Sequence, residues 1–231
     1  MKTLLITLSA LVLFLGILSA SIEAQQAHCF DKSFQTQLRV FEPKRDFIDT
    51  QMLFVDADAG LTRTDMIMRE PVARNVSVYI NYKLNKRWIY EVAQNFCHSD
   101  VVTQPQQPFC ISSNATYVRS DVIGGTLKVD VYDEKLFGFS ARILYAPATN
   151  TPVEVMTKAG GFGNGMIIEE YFNWIHQKPA PAVFTLPQAC KNVAAQRAAV
   201  SPQNKVMITE VTKRVDSLLY RKSVKTLLSQ Q

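Results

Sequence analysis

Alternation is the dominant pattern along this chain. Val76, Val78, Ile80, Tyr82 and Leu84 alternate with Ser77, Tyr79, Asn81 and Lys83. A period of two is that of a strand with one buried face. Leu127, Val129 and Val131 repeat it against Lys128 and Asp130. Phe137-Gly138-Phe139 and Ile143-Leu144-Tyr145 predict the next strand, with a bulge or bend at Gly138. Asp133-Glu134-Lys135 predicts the hairpin turn between the two. Met52 to Val55 and Met66 to Met68 flank Asp56-Ala57-Asp58-Ala59-Gly60, a second hairpin in which Gly60 supplies the positive φ such turns need. The run Met166 to Trp174 is too densely apolar for its period to separate a buried strand from a helix, and Pro179-Ala180-Pro181 ends whatever precedes it. Short strands, tight turns and few helices predict an antiparallel sandwich or open barrel.

The two ends break this pattern. Lys2 precedes an almost unbroken apolar run, Leu4 to Leu18, and small residues at Ala20 and Ala24 each end a cleavage site. Those features predict a secretory signal peptide over residues 1–24, cut after Ala20 or Ala24. A transmembrane anchor is the weaker reading, because the run falls short of the roughly 20 apolar residues a span needs. No later segment is long and apolar enough to cross as a helix, so a soluble, exported protein is expected. At the other end, residues 191–231 read as a basic amphipathic helix. Ala194 to Val200 is alanine-rich, Ser201-Pro202 can start a helix, and Val211, Val215, Leu218 and Leu219 follow helical spacing beside Lys213, Arg214, Arg221 and Lys222. Residues 25–190 form the β domain between these ends.

Charge divides the same way. From Lys191 onward eight Lys or Arg stand against Glu210 and Asp216, a net of +6. Residues 21–190 carry sixteen basic and eighteen acidic side chains. The high isoelectric point therefore belongs to the tail, and it gives no reason to expect nucleic acid as a partner. A helix packed on the domain with a solvated basic face, one that meets an anionic membrane or partner surface, and a floppy extension are the three readings of the tail. Removal of the leader leaves 207 or 211 residues, enough for one domain with a substantial core.

Export changes the meaning of the four cysteines, Cys29, Cys97, Cys110 and Cys190. An even count in an oxidising compartment favours two disulfides, and three pairings stay open. Zinc is disfavoured: His28-Cys29 and Cys97-His98 are adjacent pairs whose side chains point apart on a strand, and no Cys-x-x-Cys occurs. Asn75-Val76-Ser77 and Asn114-Ala115-Thr116 are acceptors for N-linked glycan and so belong at the surface.

Catalytic signatures are missing from the sequence. It contains no nucleophile elbow, zinc-protease helix or phosphate loop. The glycines of Gly160-Gly161-Phe162-Gly163-Asn164-Gly165 fail the dinucleotide spacing, with Met166 where the third glycine belongs; they predict a flexible hairpin or pocket rim. Asp56, Asp58 and Gly60 hint at calcium, but Gly60 at the fifth position and Ile67 at the twelfth exclude an EF-hand. No metal site and no cofactor are expected, beyond loosely bound calcium, and the protein is expected not to be an enzyme.

One resemblance adds to this reading. Phe96-Cys97-His98-Ser99-Asp100 through Thr103-Gln104-Pro105, then Asn114-Ala115-Thr116, Ile123-Gly124-Gly125 and the closing Phe184-Thr185-Leu186-Pro187-Gln188-Ala189-Cys190 resemble the ependymin family in order and spacing. The resemblance covers about Cys29 to Cys190. It implies a secreted or lysosomal glycoprotein of two stacked antiparallel sheets around a deep apolar cavity, similar to bacterial lipoprotein carriers, that often dimerises. It implies binding of lipid or another hydrophobic molecule, calcium-linked change of conformation and cell–matrix adhesion, with no catalytic residues. It also implies that Cys97 and Cys190 pair, which leaves Cys29 for Cys110, and it makes Asn114 a family glycan position. Some vertebrate relatives carry six cysteines and stop well before this tail.

The strand assignment points Val78, Ile80, Tyr82, Val129, Val131, Phe137 and Phe139 inward, where they would wall a pocket or fill an ordinary core. Seven methionines suit an adaptable apolar surface and an ordinary core equally. Two functions are expected from these features. One is a hydrophobic-ligand binder with an inter-sheet cavity. The other is an extracellular matrix or adhesion protein with a filled core, working through glycans, the acidic loop Asp56-Ala57-Asp58 and the tail. A secreted, extracellular setting is expected in both, with the lysosomal lumen as the alternative.

Overall fold

The computed structural model describes residues 28–43, 47–68, 73–136, 139–159, 165–191 and 200–212. The expected leader, the bend at Phe137-Gly138, most of the glycine-rich stretch before Met166, and the tail beyond residue 212 lie outside the described residues.

Eleven antiparallel strands form one sheet, and two short strands form a second. The short pair is β1 (His28–Cys29) with β8 (Cys110–Ile111). The large sheet contains β2 (Ser33–Glu42), β3 (Phe47–Asp56), β4 (Leu61–Met68), β5 (Arg74–Asn81), β6 (Lys86–Glu91) and β7 (Phe96–Val101) in one meander. A second meander contains β9 (Thr116–Ile123), β10 (Leu127–Leu136), β11 (Phe139–Ala146), β12 (Thr151–Ala159) and β13 (Met166–Ile175). The two meanders join where β13 pairs with β2, and the sheet stays open with β7 and β9 at its edges. The fold is thus mostly β and antiparallel, as its alternation predicts.

The turns follow a rule only partly visible in the sequence. Four-residue turns join β3 to β4, β5 to β6, β6 to β7 and β11 to β12, each ending on a residue of positive φ. That residue is Gly60 (φ +71°), Asn85 (50°), Asn95 (48°) or Asn150 (52°). Asparagine tolerates the left-handed region better than other side chains, so three of these turns close without glycine. The β9–β10 turn uses Gly124 and Gly125, both at positive φ.

Three expectations are corrected. Asp133-Glu134-Lys135 is no turn: these residues continue β10, with Asp133 directly opposite Arg142 of β11 and ion-paired to it at 2.7 Å. A charged triplet reads as a turn until a cross-strand partner is known. The strand that begins near Val76 ends at Asn81, so Tyr82 and Leu84 lie in the next turn and Leu84 is exposed. Both faces of β5 are covered rather than one, since Ser77 and Tyr79 are buried along with Val76, Val78 and Ile80. The ambiguous apolar run is a strand, β13.

The second cover on β5 comes from the segment after β13. It passes through a single helical turn, Pro181–Phe184, and the short helix Gln188–Lys191. The Arg63 guanidinium donates to the Val183 carbonyl at 2.8 Å. Ala189 and Cys190 pack with Tyr79, Trp88 and Cys97, and the Cys97–Cys190 disulfide locks the segment there. The Cys29–Cys110 disulfide fastens β1 to β8.

Candidate functional site

Directly paired residues of adjacent strands share a face of the sheet, so register alone traces one continuous surface. It runs from Tyr132 through Ile143, Val155, Glu169, Val40 and Asp49. On β4 to β6 it continues as Met66, Val76, Val78 and Ile89. We call this the inner face, because the crossing between β7 and β9 and a C-terminal helix of residues 202–212 both pack on it. Phe109 meets Phe34 edge-to-face at 4.8 Å, Phe34 stacks on Trp174 at 4.1 Å, and Ile111 packs with Ile143 and Tyr145.

The inner face has two characters. Over β4 to β6 it is largely apolar, a wall of Met66, Met68, Val76, Val78, Ile80 and Ile89, with buried Arg87 opposite Ile80 and buried Glu91 opposite Val76. Over β3, β10 and β13 it carries further buried carboxylates. Asp49 and Glu169 both sit opposite Val40, and Glu134 sits opposite Ala141, itself opposite Thr157. Asp49 and Glu134 are 1% exposed and Glu169 6%. Their setting is polar in part: the Gln51 amide donates to Asp49 at 2.9 Å, and the Tyr171 hydroxyl to Glu169 at 3.2 Å. A pocket of about 240 Å³ opens beside Glu134, Ala141 and Thr157; the rest of its lining, mostly polar or charged but including Met156 and Met166, belongs by register to the opposite face.

The residues expected to wall a pocket are distributed over both faces. Val78 and Ile80 lie on the inner face, and Tyr82 packs against their cluster from the turn. Burial pushes the Tyr82 phenol up to about 12. Val129 and Val131 are fully buried, but Val131 pairs with Leu144 and so faces away from Ile143 and the inner face. Phe137 and the side chain of Phe139 lie outside the described residues. Alternation identifies which residues of one strand share a side; it does not say which sides of distant strands coincide. Asp49, Gln51 and Glu169 escape a hydrophobic pattern, which passes over polar residues at inward positions. Glu134 escapes it because its charged triplet reads as a turn.

Other expected sites are placed as follows. Asn75 and Asn114 are both exposed. The His28 imidazole lies 2.7 Å from the Asn150 side-chain oxygen, and its neighbour Cys29 is in a disulfide. The acidic loop is already engaged: Asp56 meets the Lys178 ammonium at 2.9 Å and accepts hydrogen bonds from the Ala59 N–H and the Ser33 hydroxyl. Burial pushes the Asp56 carboxyl up, but Lys178, Ala59 and Ser33 together outweigh it and hold the group below its ordinary range. Among the described residues no three His, Cys, Asp or Glu side chains come together as a metal site would require, and no helix is long and apolar enough to cross a membrane.

A family model described as Ependymin matches residues 71–190, just over half of the chain. The chain belongs to the ependymin family. The match ends at Cys190, so the C-terminal helix of this ependymin lies beyond it. The family is extracellular, and two disulfides suit that setting. No curated protein matches the chain by sequence. Among solved structures it is similar to an uncharacterised conserved protein of Thermus thermophilus, at 11% identity over 68% of this chain and 87% of that one, with a TM-score of 0.50. That likeness is one of fold. A LolA superfamily protein of Nitrosomonas europaea matches at 7% identity over 68% of this chain and 91% of that one, with a TM-score of 0.33. A Pseudomonas aeruginosa MucA/MucB complex matches at 13% identity over 72% and 58%, with a TM-score of 0.40.

Proposed function

We propose that this ependymin is an exported, N-glycosylated, non-enzymatic binder that holds an acyl chain or another hydrophobic molecule on its inner face. The observation that carries the reading is the apolar wall of β4 to β6, which shares its face of the sheet with Ala141 and Thr157 of the pocket between β10 and β12. A sandwich that served only as scaffold would fill its interior with interdigitating side chains. Here an opening of about 240 Å³ remains beside the inward Ala141 and Thr157, and the adaptable side chains of Met156 and Met166 border it from the other face of the sheet. The disulfides and the exposed sequons at Asn75 and Asn114 support export through the secretory pathway. The adhesion reading finds Asp56 of its acidic loop already paired with Lys178.

Native mass spectrometry and solvent extraction of protein from a secreting host test the proposal. A co-purifying acyl species at fixed stoichiometry is expected. Substituting Ala141→Phe, which adds a ring inside the pocket, should lower its occupancy while the melting temperature shows the variant folded. A clean apo mass that takes up no offered fatty acid would overturn the reading.

A further inference from the structure

Residues 202–212 form a helix that lies on the apolar wall. Its start is well specified: Ser201 caps it through a hydrogen bond from the Asn204 N–H at 3.2 Å, with Pro202 at the first helical position. Asn204, Met207, Ile208 and Val211 recur at helical spacing and face the sheet. Met207 is 3% exposed and Val211 0%, both packed into the cluster of Met66, Met68, Val76, Val78, Ile80 and Ile89. The apolar surface most suited to a ligand is therefore already covered by the chain itself.

The pocket left open, about 240 Å³, falls below the roughly 300–1,000 Å³ typical of small-molecule sites. Uncovering the wall would expose a further apolar surface on the face that carries Ala141 and Thr157. The family match stops at Cys190 and includes none of this segment.

We propose that the β4–β6 wall is a helix-docking surface whose resident is this chain's own C-terminal tail, and that the tail and a hydrophobic ligand compete for it. The inference rests on the reading of the inner face as the ligand site. Binding then requires the helix to leave, so its docking strength sets the apparent affinity, reduced by the fraction of molecules in which the wall is uncovered.

The test uses the full chain and the double variant Met207→Asp, Val211→Asp, whose helix can no longer bury its apolar side. Uptake of lauroyl lysophosphatidylcholine is read by native mass spectrometry, and folding by the melting curve. At least tenfold tighter uptake by the variant is expected, reversed by a synthetic peptide of residues 200–231. Equal uptake by both forms would overturn the competition and leave the binder reading standing. No uptake by either, with the peptide still bound by the variant, would overturn the binder reading and the competition together. A dimer in the wild-type spectrum that the variant abolishes would reassign the helix to exchange between two copies. Should the double variant fail to melt cooperatively, Asn204→Ala is expected to show the same change at smaller size, and unchanged uptake there would also count against the proposal.

Discussion

The Arg74 guanidinium donates a hydrogen bond to the side-chain oxygen of Asn204 at 3.0 Å. This bond ties the first turn of the C-terminal helix to the start of β5, some 130 residues earlier in the chain. It is partly exposed, so about 1 kcal/mol is a reasonable size for a bond that involves a charged donor. Replacing Arg74 by Ala should therefore make the amides of residues 206–212 exchange about fivefold faster with solvent, with the strands unaffected. Hydrogen exchange read by mass spectrometry checks this, and unchanged protection would mean the apolar contacts alone hold the helix.

The two disulfides differ in access. Cys97 and Cys190 are buried, at 1% and 3% exposure, whereas Cys29 is exposed and Cys110 partly so. Thiolate attack needs a reachable sulfur, so mild reductant should open Cys29–Cys110 first and leave Cys97–Cys190 until the fold opens. Alkylation followed by peptide mapping gives the order. Each bridge closes a long loop, with separations of 81 and 93 residues, and replacing either pair by Ala should cost about 2–4 kcal/mol in chemical denaturation.

Acid stability should depend on Lys178. The Asp56 carboxyl titrates below its ordinary value in the folded state, so its contribution is present above the unfolded pKa of about 3.9 and is lost as pH falls through the lower folded value. Lys178→Met removes the countercharge and leaves only Ala59 and Ser33 to oppose burial, so the Asp56 carboxyl rises and the acid unfolding midpoint moves to higher pH. Lys178 is itself mostly exposed, so high salt should shrink the difference between the two proteins. An unchanged midpoint at low salt would show the pair to be of no consequence for stability.

Alkaline stability should depend on Tyr82. Burial raises its phenol to about 12, while the same group in the unfolded chain ionises near 10. The unfolded state alone loses its proton between those values, so stability falls from about pH 10 and levels off above about 12. Tyr82→Phe removes the ionisation and should flatten that part of the pH–stability curve. A curve of unchanged slope would mean that Tyr79, Tyr132 and Tyr145, which burial also raises, carry the alkaline transition.

Much of the fold was legible because each strand states its own period. Val76-Ser77-Val78-Tyr79-Ile80, the hairpin ending on Gly60 and the helix start at Ser201-Pro202 all rest on interactions within a few residues, and each is found where its local chemistry puts it. The candidate site was less legible. Val131 and Val78 look alike in sequence yet face opposite sides of one sheet, because that relation passes through every strand pairing from β5 across to β10. Glu134 has the look of a turn residue, and only its position opposite Ala141 places it in the interior.

By itself the sequence determined the antiparallel β class, the turn at Gly60 that requires positive φ, the amphipathic character of the tail and the even set of cysteines. All of these depend on local backbone preference and composition. Only the tertiary structure decided that the meanders join through β2 and β13, that buried carboxylates and an apolar wall share the inner face, and that Met207 and Val211 cover the wall. Those relations depend on which surfaces meet across long loops, and burial free energy is set by the meeting and not by the residue alone.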